Sequence, residues 1–134
     1  DVVGMIGNIK PVAKQLKPKV GRLIIFDRAD TKGVYPEEQQ KDLLPQCDLV
    51  VVTSSSLLNE TFSRVISYCQ QAREIVLTGA TTPMYPEAFE GTGVTVLAGS
   101  RWFPQHKDAI FNRISQAGCL RQIIQYGEKL TVRL

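Results

Sequence analysis

The stretch Asp48-Leu49-Val50-Val51-Val52-Thr53-Ser54-Ser55-Ser56-Leu57-Leu58-Asn59-Glu60-Thr61 decides the fold. Its first half is continuously apolar, as a parallel strand covered on both faces must be, because neither side of such a strand meets water. Its second half empties into hydroxyls and an amide. From there Leu58, Phe62, Val65, Ile66 and Cys69 recur at three- and four-residue intervals, the spacing of an amphipathic helix. A strand that runs through a polar loop into a helix is half of a parallel α/β unit. It delivers side-chain donors and backbone N–H groups to the carboxyl edge of a sheet, where open α/β folds bind ligands.

Working outward, the rest of the chain repeats this unit. Val2-Val3-Gly4-Met5-Ile6 is a short strand, Gly7-Asn8 a tight turn, and Ile9, Val12, Ala13 and Leu16 mark a helix with Pro11 in its first turn, where a missing N–H costs nothing. Arg22-Leu23-Ile24-Ile25-Phe26 is a second strand, stopping at Asp27-Arg28. Pro36-Glu37-Glu38 opens a short helix that ends near Leu44-Pro45, with acids at the positive end of its dipole. After the central loop, with Asn59 as helix cap, Glu74-Ile75-Val76-Leu77 is a fourth strand that opens into Thr78-Gly79-Ala80-Thr81-Thr82-Pro83. A short helix is expected over 84–90, a fifth strand over 93–98 with Gly99-Ser100-Arg101-Trp102 as its polar exit, and a helix over 105–116 with Ile110, Phe111 and Ile114 on one face. Residues 122–126 and 130–134 read as a closing hairpin or as edge strands. Alternation with short links predicts an α/β, Rossmann-like three-layer sandwich: a mostly parallel sheet of about five or more strands with helices on both faces.

Composition bounds the partners. At 134 residues with 43% hydrophobic content the chain reads as a single domain, 1–134, with a real core. The net charge of +3 is a small surplus of mixed signs, which argues against a nucleic-acid stripe. No apolar run approaches the roughly 20 residues that span a bilayer, and no signal-peptide pattern opens the chain, so a cytoplasmic protein without a membrane partner is expected. Cys47, Cys69 and Cys119 are odd in number and form no C-x-x-C, as reduced thiols would be, and Cys69 belongs to the apolar stripe of a helix.

Several residues are candidates for chemistry. Gly4-Met5-Ile6-Gly7-Asn8 approximates a phosphate-binding turn, but with G-x-x-G spacing and no third glycine. Asp27 stands where dinucleotide folds place the acid that accepts ribose hydroxyls, and Arg28 beside it suits a 2′-phosphate; equally, an acid ending a strand is common in solvated loops. Thr53, Ser54, Ser55, Asn59 and Thr61 gather hydroxyls, an amide and a helix start, fit for a carboxylate, phosphate or polar heterocycle, or merely for capping. Gly79, Thr81 and Pro83 repeat the pattern on the next strand. The single histidine, His106, has no second ligand at metal spacing, so no metal ligand is assigned, and no G-x-S-x-G elbow points to a nucleophile. Trp102-Phe103 reads as core cover.

The order Gly4-x-x-Gly7, Phe26-Asp27-Arg28, the block from Leu43 to Thr61, and Gly79-x-x-x-Pro83 resembles the C-terminal Rossmann-like domain of the heavy-metal-chelation family, long described as a domain of unknown function. The resemblance runs to about Gly99. It implies a role in chelating a metal or handling a metal-linked small molecule, and a site in the cleft against a domain like the N-terminal part of enolase, which is absent from this chain and would be supplied by a longer protein or by another chain. The family pattern has glycine where this chain has Ser54 and Glu60, proline where Ala80 stands, and glutamate where Asp27 sits. Three readings follow. The first is a small-molecule or metal-complex site lined by Gly7, Asn8, Asp27, Arg28, Thr53, Ser54, Ser55, Asn59, Thr61, Gly79, Thr81 and Pro83, for a divalent heavy metal or a nucleotide-like ligand. The second is an NAD(P)-type dinucleotide-binding enzyme domain. The third is a structural domain that assembles a homo-oligomer.

Overall fold

The computed structural model describes residues 1–134. Six strands form one sheet: β1 Val2–Ile6, β2 Arg22–Phe26, β3 Leu49–Thr53, β4 Glu74–Thr78, β5 Val96–Trp102 and β6 Gly127–Arg133. Their spatial order is β2-β1-β3-β4-β5-β6, all parallel except β6, which runs antiparallel to β5. The helices are α1 Lys10–Leu16, α2 Gln40–Leu43, α3 Ser55–Leu58, α4 Phe62–Tyr68, α5 Lys107–Ser115 and α6 Leu120–Ile123, with 3-10 turns flanking several of them. The architecture is the expected Rossmann-like α/β sandwich.

Register explains why the strands are apolar on both sides. Gly4 and Ile6 face the same way as Ile24 and Phe26 of β2 and Val50 and Val52 of β3, and this face carries the larger core together with Leu44, Val65, Ile75, Leu77 and Leu97. Val3, Met5 and Val51 face the other way, against Ile9 and, from α1, Val12, Ala13 and Leu16. Gly4 is required by contact: a Cβ there would stand 2.9 Å from Leu44 Cδ2 and 3.0 Å from Cys47 Sγ. Cys69 is buried in the larger core, as its helical spacing predicts.

The structure corrects the sequence reading in four places. The fifth strand does not stop at Ala98; Gly99-Ser100-Arg101-Trp102 continue it, because each pairs with a residue of β6, from Gly99 with Leu130 to Trp102 with Gly127. A lone strand ends where its apolar residues end, whereas a partner strand extends it through polar ones. Residues 122–126 are not a hairpin arm but the end of α6 and a 3-10 turn, leaving β6 as a single edge strand tied back by Arg133 Nη1 donating to Glu74 Oε1 at 2.8 Å. The third is the apolar face of α5: Ile110 is buried, but Phe111 and Ile114 are 58% and 52% exposed. The helix over 58–69 is also split. Asn59 is the C-cap of the one-turn α3 and not the N-cap of the helix that follows, Thr61 precedes α4 without a side-chain cap bond, and Leu58 is exposed.

These burials set the mutational expectation. Leu44→Ala, at a fully buried position, is expected to lower unfolding free energy by about 2–5 kcal/mol. Phe111→Ser is expected to change it by less than about 0.5 kcal/mol. Urea melts of the two variants check both.

Candidate functional site

The order β2-β1-β3 reverses the winding of the sheet at β1. α1 leaves β1 over one face, and the connection from β2 to β3 returns over the other through α2. The two connections diverge at the carboxyl ends of β1 and β3, and at such a reversal a crevice opens. Here it holds a cavity of about 150 Å³.

Each strand contributes its exit. At the end of β1, Gly7 takes a φ of +88°, and a Cβ there would lie 3.1 Å from Thr53 Cγ2, so the turn rides directly on the exit of β3. At the end of β2, Asp27 reaches across: Oδ2 accepts the Asn8 N–H at 2.7 Å and Oδ1 accepts the Ala29 N–H at 3.1 Å. The Asn8 bond, then the Ala29 bond, hold the Asp27 carboxyl below the usual carboxylate range, because both stabilise the charged form. At the end of β3, Thr53 Oγ1 and Ser55 Oγ lie 2.9 Å apart, and the Thr61 N–H donates to the Ser56 carbonyl at 2.9 Å, closing the loop around the cavity.

The cavity therefore brings together Gly7, Asp27, Arg28, Thr53, Ser55, Asn59 and Thr61 of the residues expected from sequence. Asn8 stands beside it through the Asp27 bond. The other four do not line it. Ser54 is buried, its N–H donating to the Thr78 carbonyl at 2.8 Å and its hydroxyl 2.7 Å from Thr81 Oγ1. Gly79, with φ +146°, is needed because a Cβ would fall on Ser54 Oγ. Thr81 and Pro83 are exposed beyond it. The second polar loop is thus a buttress for the first, and Gly79 opens instead on a separate groove between α1, α6 and the exits of β4 and β5.

Sequence reasoning missed Glu37, Gln40 and Ser56, which also line the cavity. Glu37 pairs with Arg64 and, at 3.6 Å, with Arg28 Nε. Gln40 and Ser56 are 4% and 0% exposed, yet Gln40 Oε1 and Ser56 Oγ have no hydrogen-bond partner. Gln40 was legible only as a polar residue on the inner face of a helix too short to show a period.

Metal donors do not gather here. No three His, Cys, Asp or Glu side chains converge to hold an ion. Cys47 and Cys69 are packed in the core, where burial pushes their thiols up to about 11 and about 12, and His106 packs against Tyr126 with ring centroids 5.2 Å apart. Heavy metals favour thiolate and imidazole. The residues of this chain do not fit a heavy-metal site of their own.

A doubly wound α/β sheet with a polar crevice at its point of reversal defines a Rossmann-like protein. The chain belongs to the DUF364 family, whose model, described as "Putative heavy-metal chelation", matches residues 1–133. It is 27% identical over 122 residues to an uncharacterised protein of Methanocaldococcus jannaschii, covering 88% of this chain and 47% of that one. A crystal structure of a DUF364 protein of unknown function from Desulfitobacterium hafniense aligns with a TM-score of 0.87 at 28% identity, over 99% of this chain and 52% of that chain. Another, from Pyrococcus horikoshii, aligns with a TM-score of 0.90 at 24% identity, over 100% of this chain and 54% of the other, a likeness of fold. The chain spans about half the length of these relatives.

Glu60 has a φ of 57°, the left-handed region that costs an L side chain roughly 1–2 kcal/mol. Glycine takes this conformation at no such cost. Glu60→Gly is expected to raise the melting temperature by a few degrees; a fall would show that the Glu60 side chain holds the loop. Asp27 carries a pH signature. Its pKa is depressed on folding, so its contribution is complete above the usual 3.8 and is lost as pH falls through the folded value. Asp27→Asn is expected to cost about 1–3 kcal/mol at neutral pH, with the gap to wild type closing below pH 3.8 in acid titrations of urea stability.

Proposed function

We propose that this domain supplies the crevice at the exits of β1, β2 and β3 to a binding site for a polar small molecule or a metal complex. The carrying observation is that side chains from all three exits meet in one cavity of about 150 Å³, lined mostly by polar groups. Recognition is by hydrogen bonding: the Thr53–Ser55 hydroxyl pair, Asn59 and Thr61 offer donors and acceptors, and Asp27 stays ionised to accept donors from a ligand as well as from the backbone. A metal, in this reading, arrives within an organic complex whose polar shell the crevice contacts, since none of the three thiols lines the crevice: Cys47 and Cys69 are buried in the core and Cys119 is exposed at the start of α6. The family description of heavy-metal chelation is compatible with that route.

The dinucleotide reading has the position of Asp27 in its favour and the turn after β1 against it. A pyrophosphate needs free amides there, but the Asn8 N–H is held by Asp27, the Ile9 N–H donates to the Gly7 carbonyl at 2.9 Å, and the Lys10 N–H donates to the Asn8 carbonyl at 3.0 Å. The oligomerisation reading keeps one observation, the exposed Phe111, Ile114 and Leu120 on α5 and α6.

A thermal-shift panel of NAD, NADP, S-adenosylmethionine and free nickel, cobalt and zinc ions discriminates these readings. A ligand at a hundred times its dissociation constant stabilises by about 2.7 kcal/mol. The proposal expects a shift from an organic ligand that is abolished in the double variant Asn59→Ala, Thr61→Ala. A shift from a free metal ion that is lost in a Cys47 or Cys69 variant would overturn it.

A further inference from the structure

Three polar side-chain atoms in this chain are buried without a partner: Gln40 Oε1, Ser56 Oγ and Thr82 Oγ1. Leaving such an atom unpaired costs roughly 1–3 kcal/mol, so folded proteins leave few of them. Two of the three belong to residues lining the same cavity, although they come from different elements, α2 and α3. Thr82, the third, lies elsewhere, against Gly99 of β5. The pairing of Gln40 and Ser56 in one place is what an unfilled recognition point leaves behind.

The charges around that point decide what fills it. Two carboxylates, Asp27 and Glu37, line the cavity, against one guanidinium, Arg28; Glu37 is paired with both Arg28 and Arg64, which leaves Asp27 as the carboxylate of the lining without an ion-pair partner. An entering carboxylate or phosphate would meet the unpaired Asp27 charge with no free cation in the lining to compensate. A hydroxyl, amine or amide N–H would meet acceptors: the Asp27 and Glu37 carboxylates and the carboxamide oxygen of Gln40. The volume is close to that which admits a single six-membered ring in other proteins.

We propose that Gln40, with Ser56, is the specificity-determining element of the crevice, and that it selects a neutral, ring-sized group carrying a hydrogen-bond donor against its carboxylate analogue. The carboxamide accepts from the ligand donor through Oε1, and the Ser56 hydroxyl completes the second bond. This rests on the crevice being a ligand site. It adds the class of ligand and the residue that reads it. A site built to hydrogen-bond a donor discriminates strongly against the analogue without one, because its own buried groups are then left unpaired.

Nicotinamide and nicotinate form a matched probe pair of equal size, one with an amide N–H and one with a carboxylate. The experiment is a titration of each into the isotope-labelled chain, followed by the backbone resonances of Gly7, Thr53, Ser55 and Thr61, in wild type, Gln40→Met and Ser56→Ala. The expected result is nicotinamide binding at least tenfold tighter than nicotinate in wild type, weakened about tenfold or more by Gln40→Met and by a smaller factor in Ser56→Ala. Ser56→Ala is the control should Gln40→Met fail to fold, since it removes a single oxygen. Nicotinamide binding that neither variant weakens, or nicotinate binding as tightly as nicotinamide, would overturn the assignment and leave the crevice standing as a site. If neither probe moves any crevice resonance, the ligand class is wrong, and the thermal-shift panel decides the crevice separately.

Discussion

β1 has β2 on one side and β3 on the other, and the connections that leave and re-enter this trio lie on opposite faces of the sheet. That reversal is the constraint from which the rest of the site follows. Because α1 packs on the Val3 and Met5 face and α2 on the Gly4 and Ile6 face, the two connections diverge at the carboxyl ends of β1 and β3 and leave a crevice between them. The gap is then shaped by what each exit needs locally. Gly7 turns away in a left-handed conformation against Thr53, and Asp27 binds the Asn8 N–H to join the second exit to the first. The loop after β3 is shored from outside by the Ser54–Thr81 hydroxyl contact. The crevice is a consequence of topology, and its polarity a consequence of three strand ends that have to satisfy their own backbone.

Much of this was readable from residue order. Continuous apolar runs such as Leu49 to Val52 and Leu23 to Phe26 announce doubly covered parallel strands, and the hydroxyl-rich exits announce the edge at which the crevice opens. What escaped was whatever depends on a distant partner. β5 extends to Trp102 only because β6 pairs with it, and nothing in Gly99-Ser100-Arg101 says so. Phe111 and Ile114 have helical spacing, but they face away from the sheet, and spacing alone does not say which turn of a helix meets the core. Gln40 and Ser56 look like ordinary polar residues until the fold buries them beside the cavity. Likewise the loop after β4 has the composition of a ligand loop and the position of a support.

The distribution of donor atoms bears on the family description. Hard and neutral donors, carboxylates, hydroxyls and carboxamides, line the crevice, whereas the two thiols of the core donate to backbone carbonyls of the preceding helical turn, Cys47 Sγ to Leu43 at 3.4 Å and Cys69 Sγ to Val65 at 3.1 Å. Burial keeps both protonated at neutral pH. A soft metal ion gains nothing from such residues, while a polar organic group gains several hydrogen bonds. Both observations support the proposed recognition of an organic polar surface.

The most direct test of that contribution is hydrogen exchange by mass spectrometry on the chain, with and without the small-molecule fraction of a cell extract. The account predicts slowed exchange in peptides covering Ile6 to Asn8 and Thr53 to Thr61, with little change elsewhere. Protection confined to the groove of α1, α6 and the β5 exit, or to the exposed face of α5, would contradict it.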